Sequence, residues 1–433
     1  MPVTLHDGFV RTIFLSVAAF SIAARLSAQP ADSGQMITVD QAVQEALAKN
    51  LDLASQRYSV SVAEASRITA ALRPNPVLTV SGQTLNILGA DYSPTAPLGP
   101  NQLNIHTDFP MERGHKREER IAVASENKSL AELGVKETMR QVIYSVQSAY
   151  VDVQQAKANL QLAQDNLDRL RSVVAVNQAR LRSGDLAQVE LDRSQIAELQ
   201  YETAVAQAEL QLDQAKTQLQ VLLGRKQRTA AFDVAPDFRK DVVADSQPEI
   251  ARQAIARRPD YLLNQEAQAR SRADLLLQLA NGKIDYSIGT EYTHQRAWGI
   301  GGNSLGVYFS MPLPVFNRNQ GEIARAQREI AQAGSRIDAA GLSIGGEVEK
   351  AYRQYSVSKT LLQNVETNML SKARSVRDTT EYSYRRGEAS LVEFLDAQRA
   401  FNDTMQTYNE ARASYARSLY LIDSVSAASI SGV

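Results

Sequence analysis

Cysteine and histidine, two residue types that often carry catalysis or bind metal ions, are absent or few in this chain. The 433 residues include no cysteine, which excludes disulfides, thiolate metal sites and cysteine nucleophiles. The histidines are His6, His106, His115 and His294. They show neither the HExxH spacing nor any other close ligand spacing, and the glycine-rich run Gly299–Ser304 is interpreted as a loop between strands. We therefore expect a protein that is not an enzyme and has no metal site or cofactor.

Composition and charge exclude several further classes. Lys plus Arg number 47 and Asp plus Glu number 48, so the formal net charge is -1, whereas a nucleic-acid binder needs a basic excess. Hydrophobic residues make up 44% of the chain, and no stretch approaches the roughly 18 consecutive apolar residues of a transmembrane helix. The 22 Gly and 13 Pro are too few for a sandwich, a propeller or a disordered chain.

An apolar run near the start, Ile13–Ala24, follows Arg11 and precedes Leu26. About 12 apolar residues are too few to span a bilayer but suit the core of a secretory signal. We expect residues 1–28 to form a signal peptide that is cleaved after Ala28, which would place the mature protein beyond the inner membrane. A buried N-terminal helix is the alternative.

The rest of the chain reads as two copies of one unit. The run SAY that ends at Tyr150 matches KAY ending at Tyr352, and RSGD around Gly184 matches RGE around Gly387. The offset of about 202 residues is far longer than a solenoid repeat, and chance similarity between helical segments is the alternative. The predicted divisions are a first repeat at 29–230, a connector at 231–247, a second repeat at 248–424 and a flexible C-terminal tail at 425–433.

Each copy is predicted to contain a helix, a two-strand hairpin, a very long helix, a glycine turn and a return helix. In the first half these elements are expected at Val39–Leu72, Val77–Pro110, Arg113–Leu181 and Leu186–Leu223. In the second half they are expected at Ile250–Ala280, Lys283–Pro312, Gln320–Arg385 and Leu391–Ile422. The fold class is therefore mostly α with a small β part.

The long helices carry apolar residues at alternating spacings of four and three. The first row is Val142, Val146, Ala149, Val153, Ala156, Leu160, Ala163, Leu167, Leu170 and Val174. The second row is Ile344, Val348, Ala351, Tyr355, Ser358, Leu362, Val365, Met369, Lys372 and Val376. A period of 3.5 residues imposes a left-handed supercoil. A helix of roughly 65–70 residues is about 100 Å long, so its seam must be buried by the return helix, the other half or other subunits.

The predicted strands alternate apolar and polar residues over about 10 positions, which is typical of a transmembrane β-barrel. A soluble sheet on a helical core is the alternative. Four strands per chain cannot close a barrel, and an open edge in lipid leaves backbone groups unpaired, so several chains would have to share one barrel. The polar residues expected to face its water-filled lumen are Asn104, His106, Asp108, Asp285 and Glu291.

Taken together, the chain resembles the TolC-like outer membrane factor family of tripartite efflux systems. The resemblance rests on the duplicated element order, on the turns at Gly184 and Gly387, and on the strand-exit runs Phe109–Arg117 and Met311–Arg318. It implies a homotrimer with a twelve-stranded outer-membrane β-barrel, continued by a periplasmic coiled-coil α-barrel. It also implies a periplasmic adaptor and an inner-membrane pump as partners. The run Gly114–Arg117 is similar to the branch that serves heavy-metal cations.

The resemblance also implies where a periplasmic gate would lie. Acidic residues just past the second tip line the constriction in the family, and the matching positions are Glu393 and Asp396. A ring of carboxylates attracts cations, but Ser390 to Glu393 also reads as a capping box without a gating role. The first-half counterparts, Glu190 and Arg193, could latch to neighbouring helices.

The two tips are also where the resemblance implies that the adaptor docks. The residues expected there are Gly184, Gly387, Arg182 and Arg386. The alternative for the arginines is that they complement the dipole at a helix C-terminus.

The leading interpretation is a passive outer-membrane exit duct for solutes, with heavy-metal cations as the favoured cargo. The same duct could instead serve drugs or a type I secretion system. An alternative of another class is a soluble periplasmic coiled-coil scaffold or adaptor.

Overall fold

The computed structural model describes residues 36–83, 101–226, 232–297 and 300–430. The predicted signal peptide at 1–28 and Trp298 lie outside these residues, as does most of the loop predicted between the first two strands.

Two halves of the same design make up the described chain, and the elements are numbered in chain order. The helices are α1 (Val39–Lys49), α2 (Leu51–Ala70), α3 (Lys116–Ser183), α4 (Gln188–Leu222), α5 (Gln247–Arg257), α6 (Pro259–Asn281), α7 (Gln320–Asn364), α8 (Leu370–Arg386) and α9 (Leu391–Val425). The strands are β1 (Met36–Ile37), β2 (Val77–Gln83), β3 (Asn101–Met111), β4 (Asp233–Val234), β5 (Tyr286–Ala297) and β6 (Ile300–Ser310). This arrangement confirms the predicted mostly helical fold with a small sheet.

The helix predicted before each hairpin is broken in two, which corrects the single helices expected there. Asn50 has an extended backbone, and its side chain accepts a 3.0 Å hydrogen bond from the amide of Leu53, so it ends α1 and caps α2. Arg258 is also extended and precedes Pro259 at the start of α6. An Asn cap and a proline each interrupt a helix because they favour a non-helical residue at the boundary.

The second long helix contains one turn of π-helix at Val365–Met369, which the heptad pattern did not predict. Before this turn, the predicted seam positions within Ile344–Ser358 are buried as expected. After it, the predicted seam residue Val376 is exposed, whereas Arg377 and Tyr384 are buried. A π-turn holds about one residue more than an α-turn, so the buried face moves along the sequence by one position.

The four longer strands form one antiparallel sheet in the order β2-β3-β5-β6. Strands of the two halves therefore lie side by side, joined through β3 and β5. Strands β2 and β6 form the two edges of the sheet within the described chain. Alternation along the strands gives the sheet one polar and one apolar face, as the sequence predicted.

Two equivalent cores hold the helices beneath the sheet. In the first half, Val146 and Ala149 of α3 pack with Leu219 of α4. In the second half, Val348 and Ala351 of α7 take the matching places beside α9. None of the helices within the described ranges carries an apolar run long enough to cross a bilayer.

Two segments expected to be irregular contribute to the first core. Strand β4, within the predicted connector, pairs in parallel with β1, and its Val234 is fully buried. The flexible tail predicted from residue 425 needs correction over its described part, since a 3₁₀ turn at Ala428–Ile430 follows α9 and Ile430 packs on the same core. Apolar burial gives these short segments their order.

Candidate functional site: the sheet faces and the helical tips

The polar face of the sheet carries a connected group of hydrogen-bonding side chains. His106 and Glu291 lie opposite each other on β3 and β5. Nε2 of His106 lies 2.8 Å from Oδ2 of Asp108, and Nδ1 lies 3.5 Å from the Glu291 carboxylate. The hydroxyl group of Tyr308 on β6 donates a 3.0 Å hydrogen bond to Glu291. A side chain at Gly289 would collide with His106 and Asp108, so this glycine leaves the space that the pair occupies.

Asn104 lies in the same row as His106 and Asp108, and it is the most buried of the three. The predicted lumen residues Asn104, His106, Asp108 and Glu291 thus share one face. Asp285 departs from the prediction because β5 begins only at Tyr286. Its carboxylate accepts hydrogen bonds from the Arg113 amide (2.8 Å) and from Nζ of Lys116 (2.6 Å), so it joins the sheet to the start of α3.

The opposite face of the sheet is apolar and exposed in the single chain. Leu305 and Val307 of β6 are 78% and 77% exposed. The other exposed apolar side chains of this face are Leu78, Val80, Leu103, Ile105, Phe109, Met111, Ile288, Tyr292 and Phe309. An exposed apolar band of this extent on one face of a sheet is typical of a surface that contacts a membrane or another protein.

Both helical tips end in the same glycine turn. Gly184 and Gly387 have φ angles of 84° and 79°, in the left-handed region that favours glycine. The amide of Asp185 donates to the Arg180 carbonyl at 2.8 Å, and that of Glu388 donates to the Ser383 carbonyl at 2.9 Å. These backbone hydrogen bonds close each long helix and reverse the chain.

The two tips are joined by side chains that the sequence analysis did not single out. The hydroxyl group of Tyr384 donates a 2.8 Å hydrogen bond to Oδ1 of Asn177. Its ring stacks on Phe394 with centroids 5.4 Å apart, and Arg180 donates to the Tyr384 carbonyl at 3.3 Å. Burial raises the pKa of Tyr384, so the hydroxyl remains protonated and able to donate.

A row of buried and half-buried amides joins α3 to α9 above the tips. Nε2 of Gln398 donates to Asn166 at 2.8 Å, and Nδ2 of Asn166 donates to Asn402 at 2.8 Å. Asn409 donates to Asn159 at 2.9 Å. Sequence reasoning missed this row because Asn and Gln on a helix ordinarily indicate a solvent-exposed face. Buried amides fix the register of packed helices.

Glu393 forms the capping box that the sequence allowed. Its carboxylate accepts a 2.7 Å hydrogen bond from the Ser390 amide, while Oγ of Ser390 accepts one from the Glu393 amide at 3.3 Å. The hydrogen bond from the Ser390 amide lowers the pKa of Glu393. Asp396 lies one turn on, exposed, with Oδ1 3.7 Å from the Arg399 guanidinium.

The first-half counterparts pair with each other. Nη1 of Arg193 lies 3.2 Å from Oε1 of Glu190 within α4. Arg386 donates to the Tyr382 hydroxyl at 2.7 Å and lies 3.3 Å from the Glu388 carboxylate, while Arg182 is exposed at the end of α3. A latch to neighbouring helices and docking of an adaptor at these residues stay predictions. In the described ranges, no group of three His, Asp or Glu is arranged to hold a metal ion.

Comparison with known proteins assigns this arrangement to a family. A family model described as outer membrane efflux protein matches residues 42–225 and 251–425, one segment in each half. The chain belongs to this family. The outer membrane efflux protein family is not an enzyme class, and its name agrees with the predicted exit duct in the outer membrane, extending into the periplasm. Membership of this family argues against the alternative of a soluble periplasmic scaffold.

Individual proteins that resemble this chain are consistent with the family assignment. The chain is 23% identical over 410 residues to the cobalt-zinc-cadmium resistance protein CzcC of Cupriavidus metallidurans, covering 92% of each chain. It is 27% identical to the pyoverdine export outer membrane protein OpmQ of Pseudomonas putida, over 59% of this chain and 55% of that one. A crystal structure of CusC matches with a TM-score of 0.72 at 18% identity, over 91% of this chain and 93% of that one. The predicted TolC-like fold is thereby confirmed.

Proposed function

We propose that three copies of this chain close one twelve-stranded barrel in the outer membrane and form an exit duct for heavy-metal cations. The observation that carries the proposal is the four-stranded sheet with an exposed apolar face, a polar face and two free edges among the described strands. Such a sheet is not stable alone in lipid, because its edge strands β2 and β6 would leave backbone groups unpaired.

Strand direction supports closure by identical copies. All neighbouring strands are antiparallel, so β2 and β6 of one chain run in opposite directions. Strand β6 of one copy can therefore pair with β2 of the next copy and continue the antiparallel pattern around a ring. Three copies supply twelve strands, an even number within the range of outer-membrane barrels. The polar face with His106 and Glu291 then lines the lumen.

The relatives and the charges both favour a cationic cargo. The relative CzcC, whose name refers to cobalt, zinc and cadmium, matches along 92% of both chains. Asp108 and Glu291 place carboxylates on the polar sheet face, and Glu393 and Asp396 place carboxylates just past the second tip. Carboxylates that line a conduit attract cations and repel anions. In this proposal the metal cations are cargo that passes through the duct.

The gate belongs to the same proposal. In a trimer, Glu393 and Asp396 of three copies form a ring of acidic groups at the periplasmic end. The capping role of Glu393 does not exclude this ring, because one carboxylate oxygen, Oε2, makes the hydrogen bonds to Ser390. The tips around Gly184 and Gly387, with Arg182 and Arg386, would meet the adaptor that connects the duct to an inner-membrane pump.

A second cargo class is favoured by the similarity to OpmQ. That relative is named for pyoverdine export, and it matches 59% of this chain. Export of a siderophore-like organic molecule, or of a drug, would use the same duct. A type I secretion system stays an alternative on the resemblance alone.

Deleting the gene and exposing the cells to a panel of divalent metal ions beside a panel of organic toxins tests the cargo. We expect the deletion strain to stop growing at lower concentrations of divalent transition-metal ions, and the restored gene to recover growth. Sensitivity to organic toxins alone would overturn the metal proposal and favour the second class. Vector without the gene serves as the control.

A further inference from the structure

An apolar row continues beyond the end of β6. Leu305, Val307 and Phe309 alternate along the exposed face of the strand, which ends at Ser310. The same parity continues through Met311, Leu313 and Val315, all of them exposed, and Phe316 beside them is 91% exposed. The exit loop, which we define as residues Leu313–Phe316, therefore continues the run of exposed apolar side chains from the sheet toward α7.

The equivalent loop of the first half has the opposite character. Met111 is the last apolar residue in its row, and Glu112 and Arg113 follow it. Glu112 forms an ion pair with Arg120, and the Arg113 amide is bound by Asp285. An apolar extension of the sheet is thus absent at this loop, so general hydrophobicity at the ends of the strands does not account for the exit loop.

Cationic groups surround the exit loop. Phe316 shares a cavity of about 460 Å³ with Lys116, Lys283 and Arg318. Asp285 is the one carboxylate among its lining residues, and Lys116 and the Arg113 amide already bind it. Nε of Arg318 donates to the Pro314 carbonyl at 3.2 Å and holds the loop. Across the described residues, neither Lys283 nor Arg318 has an acidic partner.

We propose that the exit loop is a membrane-interface anchor for the phospholipid leaflet at the periplasmic border of the barrel. The side chains of Leu313, Val315 and Phe316 enter the acyl boundary, and Lys283 and Arg318 bind headgroup phosphates. Exposed aromatic and aliphatic side chains beside cations are the pattern that holds proteins at this depth. The loop lies on the side of the sheet that leads into the helices, which is the periplasmic side. The inference rests on the proposed barrel.

Tryptophan fluorescence in vesicles of brominated phosphatidylcholine tests the anchor. Trp298, the single native tryptophan, is first replaced by Phe, and then Phe316→Trp, Val307→Trp or Leu342→Trp is introduced. Val307 lies on the apolar sheet face, and Leu342 is exposed on α7 away from the sheet. We expect bromolipid to quench the first two variants and to leave Leu342→Trp unchanged.

The outcomes separate the anchor from the barrel. Quenching of Val307→Trp without quenching of Phe316→Trp would overturn the anchor alone, and blue-shifted emission would then show that a neighbouring copy covers the loop. If neither is quenched, the proposed barrel fails and the anchor fails with it.

The charge component has its own measurement. Adding phosphatidylglycerol to the vesicles should raise the unfolding midpoint of the intact protein. Lys283→Gln combined with Arg318→Gln should remove most of that increase, and Lys372→Gln, at an exposed position on α8, should preserve it. An increase that survives in the double variant would contradict a role for these two cations.

Discussion

The Tyr384 hydroxyl group reaches across 2.8 Å to Oδ1 of Asn177, and this hydrogen bond joins the tip of one half of the molecule to the tip of the other. Tyr384 is also stacked on Phe394, so a residue of α8 contacts both α3 and α9. The two helical hairpins of one chain are therefore held together at their tips, the end at which we propose that the duct closes.

Tyr384→Phe should loosen this end of the molecule. The change leaves Oδ1 of the fully buried Asn177 without its donor, which costs about 1–3 kcal/mol for a buried polar group. We expect faster amide hydrogen exchange at residues 177–184 and a larger leak conductance in planar bilayers. Tyr382→Phe is the matched control because Tyr382 is exposed. Equal effects of the two changes would contradict the role of the hydrogen bond.

Glu393→Gln should separate charge from helix capping. Gln keeps an oxygen that can accept from the Ser390 amide, so the stability of α9 should be retained while the charge is lost. We expect weaker block of the channel by multivalent cations, and a further decrease when Asp396→Asn is added. Ser390→Ala removes the helix cap, which lowers the stability of α9 by about 1 kcal/mol, and it keeps the charge of Glu393. Block of the channel by cations should therefore persist. If Ser390→Ala reduces the block as much as Glu393→Gln, the acidic ring is not the cause.

The ion pair between Glu45 and Arg225 should make the first core sensitive to acid. Arg225 donates to both Glu45 oxygens, at 2.9 Å and 2.6 Å, and these hydrogen bonds lower the pKa of Glu45. The stabilisation is complete above the ordinary pKa of Glu and is lost as the pH falls through the lowered value. We expect Glu45→Gln to lower the free energy of unfolding by about 2 kcal/mol at neutral pH, and by less in acid.

The unfolding midpoint, followed by circular dichroism between pH 7 and pH 3, measures this effect. Glu249→Gln is the control, because Glu249 forms its ion pair with the exposed Arg252 one turn away on the same helix. A midpoint difference between Glu45→Gln and the parent chain that stays constant across the pH range would contradict the linkage.

Removing one residue from the π-turn should be tolerated. Deletion of Thr367 converts Val365–Met369 to ordinary α-helix and keeps Arg377 and Tyr384 on the buried seam. Deletion of Ala163, at the equivalent place in α3, should instead turn Asn177 and the rest of that helix away from the seam. We expect a folded oligomer from the first deletion and loss of the oligomer from the second, assessed by gel mobility before and after heating. The opposite result would contradict the register shift.

The π-turn could have been predicted from the sequence, but only from a difference of one residue in the spacing between matching positions of the two halves. Tyr150 and Tyr352 are 202 residues apart, whereas Gly184 and Gly387 are 203 apart. One extra residue therefore lies in the second long helix between Tyr352 and Gly387, and a π-turn absorbs one residue without breaking a helix. The heptad pattern alone ran on without this shift, so it wrongly predicted that the exposed Val376 would lie on the buried seam.

Strong periodicity explains what the sequence did predict. The repeats of 3.5 and 2 residues located the long helices and the two sheet faces because burial of one face selects them. The link from Tyr384 to Asn177 and the amide row at Asn166 depend on which helices meet in three dimensions. The pairing of β1 with β4 involves two residues in each strand, too few to leave a pattern.

The number of chains in the purified particle tests the central claim most directly. Native mass spectrometry of the detergent-extracted, unheated protein should give the mass of three chains, since the proposed barrel is closed by three four-stranded sheets. A particle of one chain, with the apolar face of β6 folded onto its own helices, would contradict the account.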